Sequence, residues 1–120
     1  MNYQQANELL QGRCKDRRKV GNNTYLERRD GGCIALRLHN TDILTFTPKG
    51  ETMVTLEGWL TPTTKDRLNT HLPFGYKVWS ERGIWYLYRN GRSNEFDRLP
   101  FAEGMRIGAK GAVRGAGADV

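Results

Sequence analysis

Residues 58–73, GWLTPTTKDRLNTHLP, gather hydroxyls, amides and cations where a short helix can begin. Thr61 supplies a hydroxyl N-cap, and Pro62 follows at the first helical position, where a missing N–H costs nothing. Thr63 with Asp66 is an alternative cap of the capping-box kind, with Asp in place of the usual Glu or Gln. Free N–H groups at such a start attract anions, and Thr63, Thr64, Lys65 and Arg67 therefore form a candidate phosphate site. The same threonines would also serve as plain caps beside solvated cations.

A second candidate is the densest positive run, RCKDRRKVGNN at residues 13–23. Arg13, Lys15, Arg17, Arg18 and Lys19 stand there against a lone Asp16. It reads either as a basic arm that meets phosphates or as a solvated connector. A third set is aromatic. Trp79, Trp85, Tyr86 and Tyr88 are interleaved with Lys77, Arg82, Arg89 and Arg92, the composition of a sheet on which bases stack. A chain this short needs about two of the four in its core. Trp79, Tyr86 and Tyr88 are the stacking candidates. There is no RNP-type motif, which argues against an RRM.

Catalytic chemistry is not signalled. There is no G-x-S-x-G elbow, Walker loop, HExxH or dinucleotide fingerprint. Cys33 and His39 fall on one strand face, roughly 20 Å apart at strand rise, too far to act as a pair. His71 lies near the helix end and reads as a surface residue. The carboxylates Asp42, Glu57, Asp66, Glu81, Glu95 and Asp97 are scattered. Cys14 and Cys33 lack CxxC spacing and His39 and His71 are isolated, so neither zinc nor a disulfide framework is indicated. The expectation is no catalytic residue, no metal and no cofactor: a nonenzymatic protein.

The elements that must position these groups follow from periodicity. Residues 2–10 read as a short helix with Tyr3, Ala6, Leu9 and Leu10 on one face. From Thr24 the pattern is β. TYLERR leads to the turn Asp30-Gly31-Gly32; CIALRLH alternates, with Ile34, Leu36 and Leu38 inward; ILTFT buries Leu44 and Phe46; a Pro-Lys-Gly-Glu turn returns to TMVTL. This is an antiparallel meander. After the central helix, YKVWS and IWYLY flank Glu81-Arg82-Gly83 as another hairpin. Asn90-Gly91 is a further turn signal, with residues 95–99 pairing back. Phe101, Met105 and Ile107 mark a last ordered segment. The Gly/Ala-rich end has little to bury and reads as a flexible tail.

Composition sets the bounds. With 120 residues there is room for one domain. A net charge of +6 favours polyanionic partners. No apolar run approaches the roughly 18 residues of a membrane span, and the start has no secretory pattern, which points to the cytoplasm with reduced cysteines.

The runs NNTYLERR, ALRLHNTDILTFTPKG, GWLTPTTKDRLN and VWSERGIWYL resemble small proteins of tailed-phage and prophage genomes, over roughly residues 15–107. The resemblance implies a bacterial or phage cytoplasmic setting and a role between phage and host. It carries no activity, cofactor or catalytic residue with it.

The resulting expectation is an α+β domain dominated by one antiparallel sheet of about five to seven strands, with an N-terminal and a central helix. Residues 1–23 are the helix and basic arm, 24–107 the β-rich core, 108–120 the tail. The expected core is Tyr25, Leu26, Ile34, Leu36, Leu38, Leu44, Phe46, Val54, Leu56, Trp59, Leu68, Leu72, Val78, Trp85 and Leu87. The expected function is nucleic-acid binding through the arm and the helix start. The alternatives are sequestration of a phosphate-bearing nucleotide near residues 61–69, or inhibition of a host protein through the aromatic hairpin.

Overall fold

A computed structural model describes residues 1–56, 61–73, 75–90, 96–108 and 113–114. Expectations for Glu57, Trp59, Leu60, Gly91, Arg92, Glu95 and most of the tail lie outside the described residues. Seven strands form one antiparallel sheet: β1 (Arg17–Gly21), β2 (Thr24–Arg28), β3 (Ile34–Leu38), β4 (Thr41–Phe46), β5 (Thr52–Val54), then β9 (Met105–Ile107) and β10 (Val113–Arg114), side by side in that order. β2 to β5 are the expected meander, and β1 adds an edge strand to it. A second, three-stranded sheet holds β6 (Tyr76–Glu81), β7 (Ile84–Asn90) and β8 (Phe96–Pro100). The expected dominant antiparallel sheet is present with seven strands, and the aromatic hairpin builds a second sheet with β8.

Two helices, α1 (Tyr3–Leu9) and α2 (Pro62–His71), complete the fold. In α1, Asn2 and Gln5 form a reciprocal capping box, each side chain accepting from the other's backbone N–H. Its last turn leaves carbonyls unpaired, and Arg28 of β2 answers them. The Arg28 guanidinium donates to the Leu10 carbonyl at 2.9 Å, to Asn7 Oδ1 at 3.0 Å and to the Lys15 carbonyl at 2.6 Å. Ala6 and Leu10 are thereby held in the core.

The core lies between one face of the large sheet and the helices and small sheet. Leu26, Ile34, Leu36, Leu44, Phe46, Val54, Leu56, Leu68, Val78 and Leu87 are fully buried, with Leu38 and Leu72 nearly so, as expected. Tyr25 is a correction: it alternates away from Leu26 and is half-buried on the opposite face. Trp85 is also only partly buried, packed against the core's edge. Ile43 is buried although period-two reading leaves it opposite Leu44. The cause is a register shift: Leu36 pairs with Leu44 and Arg37 with Asp42, so Ile43 is an extra residue that turns inward.

The run expected as a free arm is in good part β1, an edge strand hydrogen-bonded to β2. Part of the expected tail is likewise paired, Val113 with Ile107 and Arg114 with Arg106.

Candidate nucleic-acid interface

The helix start forms as its residues dictate. Thr61 caps α2, its Oγ1 accepting from the Thr64 N–H at 3.2 Å, with Pro62 next. Thr63 does not cap; it is exposed, while Thr64 is buried with its hydroxyl 3.0 Å from that of Thr61. The helix stops at Leu72, which the following Pro73 forces into extended backbone. Asn69 ties α2 to the small sheet: its Nδ2 donates to the Val78 carbonyl at 2.9 Å and its Oδ1 accepts from the Val78 N–H at 2.6 Å. A cavity of about 320 Å³ opens at this helix start, lined by Leu38, His39, Asn40, Thr41, Ile43 and the three threonines.

The two cations expected there point elsewhere. Lys65 Nζ donates to Ser80 Oγ at 2.8 Å and lies between the indoles of Trp79 and Trp85, at 4.7 and 5.3 Å. Arg67 reaches back to β2, its Nε donating to Thr24 Oγ1 at 2.9 Å, and pairs with Asp66. The helix start therefore offers hydroxyls and backbone N–H groups without the positive charge the sequence reading gave it. His71 is also a correction. It is buried, with Nδ1 placed 3.0 Å from the Arg67 carbonyl, and burial lowers its pKa below the ordinary imidazole value.

The basic run divides by strand alternation. Arg17 and Lys19 pair with Glu27 and Tyr25 and share their face, turned away from the core. Arg18 pairs with Leu26 on the core side, where it donates to the Leu9 carbonyl at 3.3 Å. Arg13 and Lys15 precede the strand and are exposed.

Register assembles the rest of the outward face. Arg17, Glu27, Ala35, Thr45, Met53 and Arg106 are successive partners across six adjacent strands and form one row. Beside it run Lys19, Tyr25, Arg37 and Asp42. Glu27 is the hub. Its Oε2 forms ion pairs with Arg17 Nε at 3.2 Å and with Arg37 Nη2 at 3.1 Å, while Oε1 accepts a hydrogen bond from Arg29 Nη1 at 2.9 Å. Arg29 also grips Asp42 with two bonds, at 2.8 and 3.0 Å, and these hydrogen bonds raise its pKa further. The Arg17 guanidinium lies 3.9 Å over the Tyr25 ring and that of Arg37 lies 5.5 Å from it. Arg37 Nε is buried without a hydrogen-bond partner. Five cations (Arg17, Lys19, Arg29, Arg37, Arg106) thus meet two carboxylates (Glu27, Asp42). Sequence reading missed Tyr25, Arg29, Arg37 and Arg106 as members of this surface. Their signal was outward placement on alternating strands, but only the register lines them up.

The small sheet presents the other candidate surface. Trp79 pairs with Tyr86 and Lys77 with Tyr88 across β6 and β7, so all four share the face opposite Val78 and Leu87. The three stacking candidates are therefore brought together, and Trp85 is the one of the four aromatics turned to the core side. Trp79 is 47% exposed and Ile84 54%. Lys77 Nζ lies 5.2 Å from the Trp79 ring. Tyr86 and Tyr88 meet edge to face at 6.5 Å, and the Tyr88 hydroxyl donates to Glu81 at 2.6 Å.

Among the described residues no group of three or more metal-ligating side chains is gathered, and no helix is long and apolar enough to cross a membrane. Comparison with curated proteins and with solved structures finds no match. A family model, the Kyanoviridae Gp96 protein, matches residues 3–108, which is most of the chain and includes both surfaces. The resemblance read from the sequence thus resolves to a cyanophage family, and the chain belongs to the Kyanoviridae Gp96 proteins, small proteins of tailed phages.

Proposed function

We propose that this phage protein is a nonenzymatic accessory factor that binds nucleic acid in the host cytoplasm, with the phosphate backbone lying along the outward face of the seven-stranded sheet. One observation carries the reading: five cations against two carboxylates on a single face. Arg17 and Arg106 stand five strand spacings apart, about 24 Å at ~4.8 Å each, long enough for several phosphates. Arg17, Lys19 and Arg106 are the exposed members and would meet phosphate first. This surface replaces the helix start, whose cations are turned away.

The test is fluorescence anisotropy with labelled single- and double-stranded DNA and RNA across a range of salt. Micromolar or tighter binding that weakens steeply with salt is expected. Arg17→Ala with Lys19→Ala should weaken all sequences alike and reduce the salt slope by two phosphate contacts' worth, roughly 1.4 on single strands and roughly 1.8 on duplex DNA. Arg18→Ala, on the core side of the same strand, should leave the slope unchanged. No binding at low salt would overturn the proposal.

One observation favours a second reading, sequestration of a phosphate-bearing nucleotide: the cavity at the capped start of α2, with Thr61, Thr63 and Thr64 on its wall. It predicts a thermal shift with isolated nucleotides that survives the Arg17/Lys19 double change.

A further inference from the structure

We infer that the outward face of β6 and β7 binds unpaired bases by stacking, so that the nucleic acid this protein takes is single-stranded. The inference rests on the proposal that the chain binds nucleic acid, and it names the class. Trp79 and Tyr86 are cross-strand neighbours at the centre of the face, and Lys77 and Tyr88 form the next pair. Ring stacking is open to any base, because every base has a π-face. A duplex keeps its bases stacked on each other and offers none to such a platform.

The present state of Trp79 fits this use. Two ammonium groups lie over the exposed ring, Lys65 at 4.7 Å and Lys77 at 5.2 Å. A base stacked on an aromatic ring is held more strongly than an ammonium group in an exposed cation–π contact. A base can therefore displace the lysine, and the displaced ammonium has a phosphate to go to. This charge complementarity selects a strand of nucleic acid over an apolar protein partner. Among the described residues the carboxylate on the face is that of Glu81, and it is already engaged by the Tyr88 hydroxyl.

Two probes of equal charge separate this inference from the proposal beneath it: oligo(dT) and an abasic deoxyribose-phosphate oligomer of the same length. The expected result is about tenfold tighter binding of oligo(dT), with quenching of tryptophan fluorescence. Trp79→Ala, at an exposed position, should erase that preference while leaving the salt slope intact. Equal binding of the two probes would overturn stacking and leave the polyanion reading standing. A preference that persists in Trp79→Ala would also overturn it, as would the unchanged oligonucleotide affinity expected if a protein partner covered this face. If neither probe binds at low salt, both the inference and the proposal beneath it fall.

Discussion

On the large sheet's outward face the charged side chains lie flat and hold one another. Arg17, Arg29 and Arg37 close on Glu27, and Arg29 also grips Asp42. On the small sheet's outward face the aromatic rings are fixed by the strands, and two lysines rest on the most exposed of them. The first surface is a network whose members depend on each other for stability. The second carries the exposed Trp79 ring under two lysines, beside Tyr86 and Tyr88, which meet each other and Glu81. The difference shows why net charge alone does not locate a binding face: much of the positive charge on the large sheet is spent on internal pairing, and the exposed members, the half-exposed Arg17 with Lys19 and Arg106, are what remain for a partner.

The largest effect should come from breaking the network at its hub. Glu27 has an 11% exposed side chain and faces three guanidinium groups. Glu27→Gln keeps the volume but leaves the guanidiniums repelling one another. A stability loss of about 3 kcal/mol is expected, the low end for a broken buried ion pair because Arg17 and Arg29 are 52% and 33% exposed. Urea denaturation measures it, and a change under about 0.5 kcal/mol would show the arginines to be independent.

The small sheet depends on the rest of the fold through Asn69. Asn69→Ala removes both hydrogen bonds to the Val78 peptide group and should cost about 2 kcal/mol, with faster exchange of the Val78 amide. Exchange that speeds equally in β3 would mean that the two sheets open as one unit.

A smaller effect separates the surfaces from the interior by pH. Burial lowers the His71 pKa in the fold, partly opposed by its hydrogen bond with the Arg67 carbonyl. The unfolded chain takes up the proton first, near 6.5, so the contribution is complete above that pH and is lost progressively as pH falls below it. His71→Gln should flatten the dependence of stability on pH below about 6.5, the ordinary imidazole value. An unchanged pH profile would remove His71 from the acid sensitivity.

Much of this was legible in advance, for identifiable reasons. The cap Thr61-Pro62, the meander and most of the apolar core follow from local chemistry and period two, which act within a few residues. What was hidden depends on distant pairing. Met105 and Ile107 read only as an ordered segment, yet β9 joins β5 and extends the sheet. The inward turn of Ile43 depends on a register shift. Lys65 and Arg67 were read from helix position alone, and their direction is set by Ser80 and Thr24, which lie far away in the chain. Trp79, Tyr86 and Tyr88, the stacking candidates, share one face because alternation puts them together once the Arg82-Gly83 turn fixes the hairpin. Both turn residues have the positive φ that a two-residue turn requires.

The smallest expected effect gives the sharpest contrast between two tryptophans. Trp79 and Trp85 lie on adjacent strands and both contact Lys65, but on opposite faces of the small sheet. Trp85 packs against the core while only partly buried, so Trp85→Ala should cost about 2 kcal/mol, below the range of a fully buried large-to-small change. Trp79 is 47% exposed and touches lysines that solvate well without it. Trp79→Ala should therefore change stability by no more than about 0.5 kcal/mol, the range of surface substitutions. An exposed indole that contributes so little to the fold is the residue expected to affect binding without affecting stability. If Trp79→Ala instead proved as destabilising as Trp85→Ala, the small sheet's outward face would be part of the fold's packing, and the contrast between a self-pairing face and one that exposes a ring would fail.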